Sequence, residues 1–282
     1  MKNQALTAPG LLQVVGTPIG NLSDLSPRAR EALANAQLVA CEDTRRTGQL
    51  YRLLGLTAPK MLSCYKENET ARASQIVTAL QQGQQVVLVS DGGMPGISDP
   101  GAHLVAAARA AGIRTEVIAG PSAVIAAVAG SGFFGGFSFV GFPERKTAAL
   151  HKQLAAIKSS PLTQVFYESP QRVAATVEAM LDVFGNRPVW LARELTKMHE
   201  EWLGPDLATL HETLTARGEI KGECVIVVHG NAEEDTPVEI TDAAILAKLQ
   251  TGASVKDTAA WIAETTGLSK KEAYAKAQSL KN

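Results

Sequence analysis

The segment from Val86 to Gly101 limits the possible folds of this chain more than any other. Val86-Val87-Leu88-Val89 is a continuous apolar run that breaks at Ser90-Asp91 into Gly92, Gly93, Gly96 and Gly101, with Pro95 and Pro100 among them. An alanine-rich helical pattern, His103 to Ala111, follows at once. A strand that is apolar at every position is buried on both faces, as in a parallel sheet covered by helices. Open sheets of that kind bind ligands where their strands end. Glycines let backbone come close to a ligand, and prolines stiffen the same loop. A connection that merely turns a corner needs roughly two to six residues, so this loop is longer than connection requires.

The same alternation runs through the first half. Leu11 to Gly16, Leu38 to Cys41, Lys60 to Ser63 and Thr115 to Ile118 are further short apolar strands. Helices are expected from Arg28 to Ala36, after Arg46 to about Leu54, from Asn68 to Gln82, and after Ser122-Ala123. Ser26-Pro27 reads as an N-cap followed by proline at the first helical position, and Gly83 as a helix stop. Strand and helix in alternation imply a mostly parallel sheet between helices.

A glycine- and phenylalanine-rich stretch, Gly130 to Gly141, marks a change, with an interdomain connection expected between about Ala119 and Phe137. A second α/β unit follows, with its clearest strands at Thr163 to Tyr167, Pro188 to Ala192 and Glu223 to Val228. Its clearest helices are Pro170 to Phe184 and Leu207 to Arg217. Asn231 to Val238 is acidic and polar and reads as a linker. Thr241 to Leu249, Val255 to Thr265 and Ser269 to Leu280 then form a helical tail, with Ser254 and Ser269 as candidate caps and a helix-turn-helix-like turn after Thr266. The expected domains are therefore 1–120, 121–232 and 233–282.

A length of 282 residues suits two α/β domains and a small appendage. The net charge of -1 excludes a basic field over the whole molecule, so contact with nucleic acid must come from local patches. The tail carries six lysines against four acids, a mild positive excess. Cys41, Cys64 and Cys224 are odd in number and far apart, which suits free thiols in a reducing compartment. With no long apolar stretch near Met1 to Gly10 and no segment of membrane-spanning length, a cytoplasmic protein with no membrane partner is expected. The five histidines lack metal-ligand spacing, so no metal is expected.

Three glycine/proline loops follow strands of the first half: Gly16-Thr17-Pro18-Ile19-Gly20, Gly92 to Gly101, and Gly120-Pro121-Ser122-Ala123. Each alone could be a tight turn. Three of them on parallel strands converge at one sheet edge and would build a pocket lined by backbone groups. Neither G-x-G-x-x-G nor G-x-x-x-x-G-K-[ST] occurs, which argues against an ordinary dinucleotide or ATP phosphate site.

These loops, taken with Cys41-Glu42-Asp43-Thr44-Arg45-Arg46-Thr47 and Phe166-Tyr167-Glu168-Ser169-Pro170-Gln171-Arg172, resemble the tetrapyrrole methylase superfamily. Within it the chain is similar to the ribosomal small subunit methyltransferase I branch, from about Leu11 to Gly230. The resemblance implies a two-domain class III methyltransferase fold with a small helical C-terminal domain. It also implies S-adenosylmethionine-dependent methylation of a cytidine ribose 2′-oxygen in the decoding centre of 16S rRNA, and a homodimer. Where corrin and porphyrin enzymes usually carry Gly-Asp-Pro, this chain has Gly93-Met94-Pro95, which argues against a tetrapyrrole substrate. Carried over by position, donor contacts fall on Pro18, Ile19, Gly93, Met94, Ile97, Ser122 and Ala123, and from the second domain on Tyr167, Ala192 and Cys224. A sulfonium with an adenine suits soft apolar walls and backbone hydrogen bonds. A valine at Gly93 is expected to fill space the donor needs.

Methyl transfer to a ribose hydroxyl needs near-attack positioning and a base or strong acceptor for the proton. Asp24, Glu42, Asp43, Asp99 and Glu168 lie in or near the loops, and Glu42 or Asp43 leads because both begin a post-strand loop beside paired arginines. The competing reading makes both of them helix caps or partners of Arg45 and Arg46. Those arginines could clamp RNA phosphates, since guanidinium forks match phosphate oxygens. Arg145, Lys146, Lys152 and Arg172 are secondary basic points. Two other functions stay open: methylation of a small tetrapyrrole, and non-catalytic regulation by binding an adenosyl ligand or RNA.

Overall fold

A computed structural model describes residues 10–65, 68–231, 240–266 and 268–281. The readings of the first nine residues, of the linker from 232 onward and of Gly267 in the tail's turn lie outside the described residues. The chain divides into two compact units, residues 1–230 and 231–282.

The first sheet is wholly parallel. It contains β1 (Leu11–Val15), β2 (Leu38–Cys41), β3 (Lys60–Ser63), β4 (Gln85–Leu88) and β5 (Arg114–Ile118), in the order β3-β2-β4-β1-β5. Helices α1 (Pro27–Asn35), α2 (Thr44–Leu53), α3 (Glu69–Gln81) and α4 (Ala102–Ala110) cover it. Successive side chains of a strand point to opposite faces. Val86 and Leu88 of β4 accordingly join Ile76 and Leu80 of α3 and Leu104 of α4 in one core. Val87 and Val89 join Leu33 of α1 and Tyr51 of α2 in another. Both faces are dry, which is why β2 and β4 read as unbroken apolar runs. Ser26 caps α1 through the Ala29 N–H at 3.1 Å, with Pro27 at the first helical position.

The chain leaves this sheet through Gly120-Pro121-Ser122. Ser122 caps α5 (Ala123–Ser131), whose Val124 and Ala127 pack against Val165, Val225 and Val227 of a second sheet. That sheet contains β6 (Phe137–Gly141), β7 (Thr163–Glu168), β8 (Val189–Arg193), β9 (Glu201–Leu203) and β10 (Cys224–Val228), in the order β6-β7-β10-β8-β9. Helices α6 (Thr147–Ile157), α7 (Val173–Phe184) and α8 (Leu207–Arg217) cover its other face around Phe166, Leu191 and Ile226. This sheet, for which the sequence suggested no strand direction, is mostly antiparallel. Only β6 and β7 are parallel, while β10 runs antiparallel to β7 and β8, and β9 antiparallel to β8. A strand covered on both faces is apolar whichever way its neighbour runs, so its composition carries no direction. The glycine- and phenylalanine-rich stretch, read as a boundary, holds the end of α5 and all of β6.

The second unit holds α9 (Asp242–Gln250), α10 (Val255–Thr266) and α11 (Lys270–Lys281), packed around Ile245, Ile262, Ala273 and Ala277. Ser254 accepts the Asp257 N–H at 3.1 Å. Ser269 and Glu272 form a reciprocal capping box, at 3.3 Å from the Glu272 N–H to Ser269 Oγ and 3.1 Å from the Ser269 N–H to Glu272 Oε2. Lys270, Lys271 and Tyr274 of α11 are exposed.

Candidate active site

The three glycine/proline loops meet. Thr17 and Gly93 exchange backbone hydrogen bonds at 3.0 Å in both directions, and the Gly16 N–H donates to the Ile118 carbonyl at 3.0 Å. The Thr17 hydroxyl reaches the Ser90 carbonyl at 3.3 Å. Parallel neighbours β4, β1 and β5 end at one edge, so their loops must share it. Gly16 and Gly120 touch backbone to backbone: a Cβ on Gly16 would stand 2.6 Å from Gly120 Cα and from Met94 Sδ. Gly93 has φ +85°, a left-handed backbone, and a Cβ there would meet Ile19 and Pro121 at ordinary distances, 3.5 and 3.7 Å. The obstacle to valine at Gly93 is therefore backbone conformation first, rather than the space expected to be taken from a ligand.

Glu69 holds the far end of the long loop. Its carboxylate is 6% exposed and accepts the Gly101 and His103 N–H groups at 2.8 and 3.0 Å, fixing the start of α4. Nothing in the local sequence announces this role, because the partners lie more than thirty residues away.

A cleft of about 530 Å³ opens between these loops and the second sheet. Clefts of that size suit small ligands and cofactors. Of the donor positions, Pro18, Ile19, Gly93, Met94, Ile97, Ser122 and Ala123 line one side, with Tyr167 and Cys224 on the other. Ala192 does not line it. That residue is fully buried within the apolar cluster against which Ile19 and Tyr167 pack. Among the lining residues that the sequence did not single out as donor contacts are Phe142, Leu195, Glu223 and Val225. Phe142 is exposed and tilted beside the Tyr167 ring at 5.6 Å, while Phe139 supports Tyr167 from its edge at 4.9 Å. An aromatic directly after the glycine that ends β6 was the available signal.

The cleft's electrostatics separate the two leading carboxylates. Asp43 caps α2 through the Arg45 N–H at 2.8 Å and pairs with the Arg45 guanidinium at 2.9 Å. Those bonds hold its carboxyl down at about 2. Its side chain is occupied, and it does not line the cleft. Glu42 lines the cleft, and burial pushes its carboxyl upward, with Asp99 and Asp91 adding to the rise and Arg46 opposing it. Among the described residues no hydrogen bond to the Glu42 carboxylate is found. Asp91 is engaged by the Asp43 N–H at 3.1 Å and by Arg46 at 3.4 Å. Asp99 is also raised by burial, against a hydrogen bond from Ser90 that lowers it. Tyr167 is raised by burial and by the charge of Asp99. Glu168, 3% exposed, is consumed by Ser169 and by Thr176 at 2.6 Å. Asp24 sits in a short 3-10 turn after β1 and does not line the cleft.

Burial raises the Cys224 thiol to about 11, so it presents a neutral soft wall rather than a nucleophile. Cys41 and Cys64 are likewise buried free thiols with raised values. Among the described residues no cluster of three or more His, Cys, Asp or Glu is placed to hold a metal, and no helix is long and apolar enough to cross a membrane. Arg45 projects its side chain at 90% exposure, and Arg46, at 64%, lines the cleft mouth.

Residues 12–211 match the family of tetrapyrrole (corrin/porphyrin) methylases, and residues 236–281 match the RsmI C-terminal HTH domain. A protein of Xylella fastidiosa is 41% identical over 272 residues, spanning 95% of this chain and 99% of its own. One of Pseudomonas aeruginosa is 40% identical over 275 residues, 95% of this chain and 96% of its own. A third, of Escherichia coli O157:H7, is 40% identical over 273 residues, 94% and 93%. All three bear the name ribosomal RNA small subunit methyltransferase I. Among solved structures, the methyltransferase CobJ superposes with a TM-score of 0.58 at 18% identity, covering 79% of this chain and 95% of its own. Diphthine synthase gives 0.58 at 17% identity, covering 78% and 90%. At these identities the likeness concerns the fold.

Proposed function

Because the chain belongs to the ribosomal RNA small subunit methyltransferase I family of tetrapyrrole methylases, we propose that it methylates small-subunit 16S rRNA at the ribose 2′-oxygen of a cytidine in the decoding centre. S-adenosylmethionine is its methyl donor. The observation that carries this reading is one cleft with glycine-loop backbone and soft side chains on one wall and a half-buried carboxylate without a hydrogen-bond partner among the described residues, Glu42, on its lining.

The residues suit the donor. Ile19, Met94 and Ile97 offer apolar surface beside the glycine-loop backbone, and Tyr167 and Cys224 face them. When bound, the donor supplies a methyl group on a positively charged sulfur. The protein's own tasks are to hold donor and acceptor in line and to take a proton. Glu42 accepts the hydroxyl proton as the oxygen attacks, and Asp99 and Asp91 keep its basicity high. Phe142, exposed beside Tyr167, offers a face on which a flipped base can stack.

Arg46, at the mouth of the cleft, and the neighbouring exposed Arg45 are read as phosphate contacts. Substituting Arg45 by alanine is expected to raise the KM for rRNA and to flatten its dependence on log salt by about one, with donor affinity unchanged. Titrations at several salt concentrations would check this, and an unaltered slope would return Arg45 to the role of a partner for Asp43. Exposed Lys270, Lys271 and Tyr274 on α11 support an RNA contact for the second unit.

A homodimer in the cytoplasm belongs to the same proposal, and sedimentation velocity reads the oligomeric state. The deciding experiment incubates the protein with methyl-labelled S-adenosylmethionine and either naked 16S rRNA, small subunits, or a porphyrinoid. Label on a cytidine ribose is expected. Label on the porphyrinoid alone, or donor bound without turnover on any acceptor, would overturn the proposal.

A further inference from the structure

Leu195 sits between two residues in the left-handed region, Glu194 at φ 54° and Thr196 at φ 66°. They are the only non-glycine residues at positive φ among the described residues. For a β-branched residue such as threonine that conformation is an outlier, and it persists only where the surroundings over-determine it. The turn connects β8 to β9 and so belongs to the second sheet. Part of what holds it is local. Glu194 Oε1 accepts from Lys197 Nζ at 2.7 Å and from the Glu223 N–H at 2.9 Å. Lys197 Nζ also reaches Glu223 Oε2 at 2.9 Å, and the Thr196 N–H donates to Glu200 at 2.6 Å.

The rest of the restraint comes from the first sheet. The Asn21 N–H donates to Thr196 Oγ1 at 3.1 Å. A Cβ on Gly20 would lie 2.5 Å from Lys197 Cγ and 2.7 Å from Thr196 Oγ1, so these two segments touch with no space between them. Ile19 packs against the apolar cluster that contains Leu195. Residues 19–21, which continue the first donor loop, thus meet residues 195–197 from the opposite wall. Leu195 and Ile19 both line the cleft.

We propose that the 194–197 turn is a latch. It pins the loop carrying Pro18 and Ile19 at a set distance from the wall carrying Tyr167 and Cys224, and so governs affinity for the methyl donor. Thr196 and Lys197 are positioning residues that act through Ile19. The inference rests on the donor-site reading given above. Its strained backbone has a purpose on this account: in the left-handed conformation, consecutive residues 195, 196 and 197 all address the facing loop.

Thr196→Val keeps the β-branched shape and removes the acceptor oxygen, leaving the Asn21 N–H without its partner. The Kd and KM for S-adenosylmethionine are expected to rise roughly threefold to tenfold. The kcat at saturating donor, the KM for rRNA and the pH profile should stay as in the wild type. Thr196→Ser retains the oxygen and is expected to restore donor affinity, a rescue that a purely steric role would not give. Gly20→Ala attacks the same contact from the other side, by pushing Thr196 and Lys197 away from the facing loop, and should also weaken the donor. Wild-type donor affinity in both Thr196→Val and Gly20→Ala would overturn the latch, as would a loss confined to kcat. A wild-type protein that fails to bind the donor at all would sink the donor-site reading itself, and the latch with it.

Discussion

Glu42→Gln is expected to lower kcat for rRNA methylation by about a hundredfold or more while leaving donor affinity intact. The substitution keeps the shape and removes the proton acceptor. The wild-type pH profile should carry the signature of the same group. Burial and the neighbouring charges of Asp99 and Asp91 raise the Glu42 carboxyl. A base must be ionised to take a proton, so kcat falls as pH falls through this raised value. The acid limb therefore lies above the ordinary carboxylate range, and Glu42→Gln should abolish it. Asp43→Asn is the matched comparison. Asp43 stands at about 2, paired with Arg45 and capping α2. It is already ionised at any pH where the protein works, and its substitution should lower the melting temperature more than kcat. Equal losses of kcat in the two variants, or a Glu42→Gln enzyme with an unchanged acid limb, would remove Glu42 from the chemistry.

The contrast between these neighbours also marks how far the sequence could be read. Glu42 and Asp43 are adjacent in one post-strand loop, and composition alone gives them equal standing. What separates them is which one α2 takes as its cap, and that depends on the exact start of the helix. The first sheet was legible because each strand-helix unit repeats a local pattern: unbroken apolar run, glycine-rich turn, amphipathic helix. The second sheet was legible in its three central strands and not in its edges. Residues Glu201–Leu203 of β9 are too few to show a period, and Phe137–Gly141 of β6 lie in a glycine-rich stretch. Among the site residues, positions next to glycine or proline could be found because those residues constrain backbone visibly. Glu69 could not, since its two N–H partners are distant in sequence. The 194–196 turn was hidden for the opposite reason. Its left-handed residues are glutamate and threonine, types that carry no signal for that conformation.

Gly16→Ala should cost most of the affinity for S-adenosylmethionine, more than tenfold by calorimetry. A Cβ on Gly16 would come within 2.6 Å of Gly120 Cα and 2.7 Å of Gly120 N, and one on Gly120 within 2.7 Å of Gly16 C, Cα and O. These neighbours are backbone, so no rotamer change relieves the clash, and the two loops must separate. Met94 Sδ, 2.6 Å from the same added atom, would be displaced with them. All three donor loops therefore move in response to one methyl group, while packed interiors give little elsewhere. Gly120→Ala should behave alike. Gly48→Ala supplies the comparison: it lies within α2 with nothing within 4 Å of the added atom, and removing a helical glycine stabilises by about 0.5–1 kcal/mol. The expected pattern is a folded, slightly more stable Gly48→Ala that binds donor normally, beside folded Gly16→Ala and Gly120→Ala proteins that do not. Circular dichroism separates lost binding from lost folding. Normal donor affinity in a folded Gly16→Ala protein would mean that the junction of these loops is not part of the donor site.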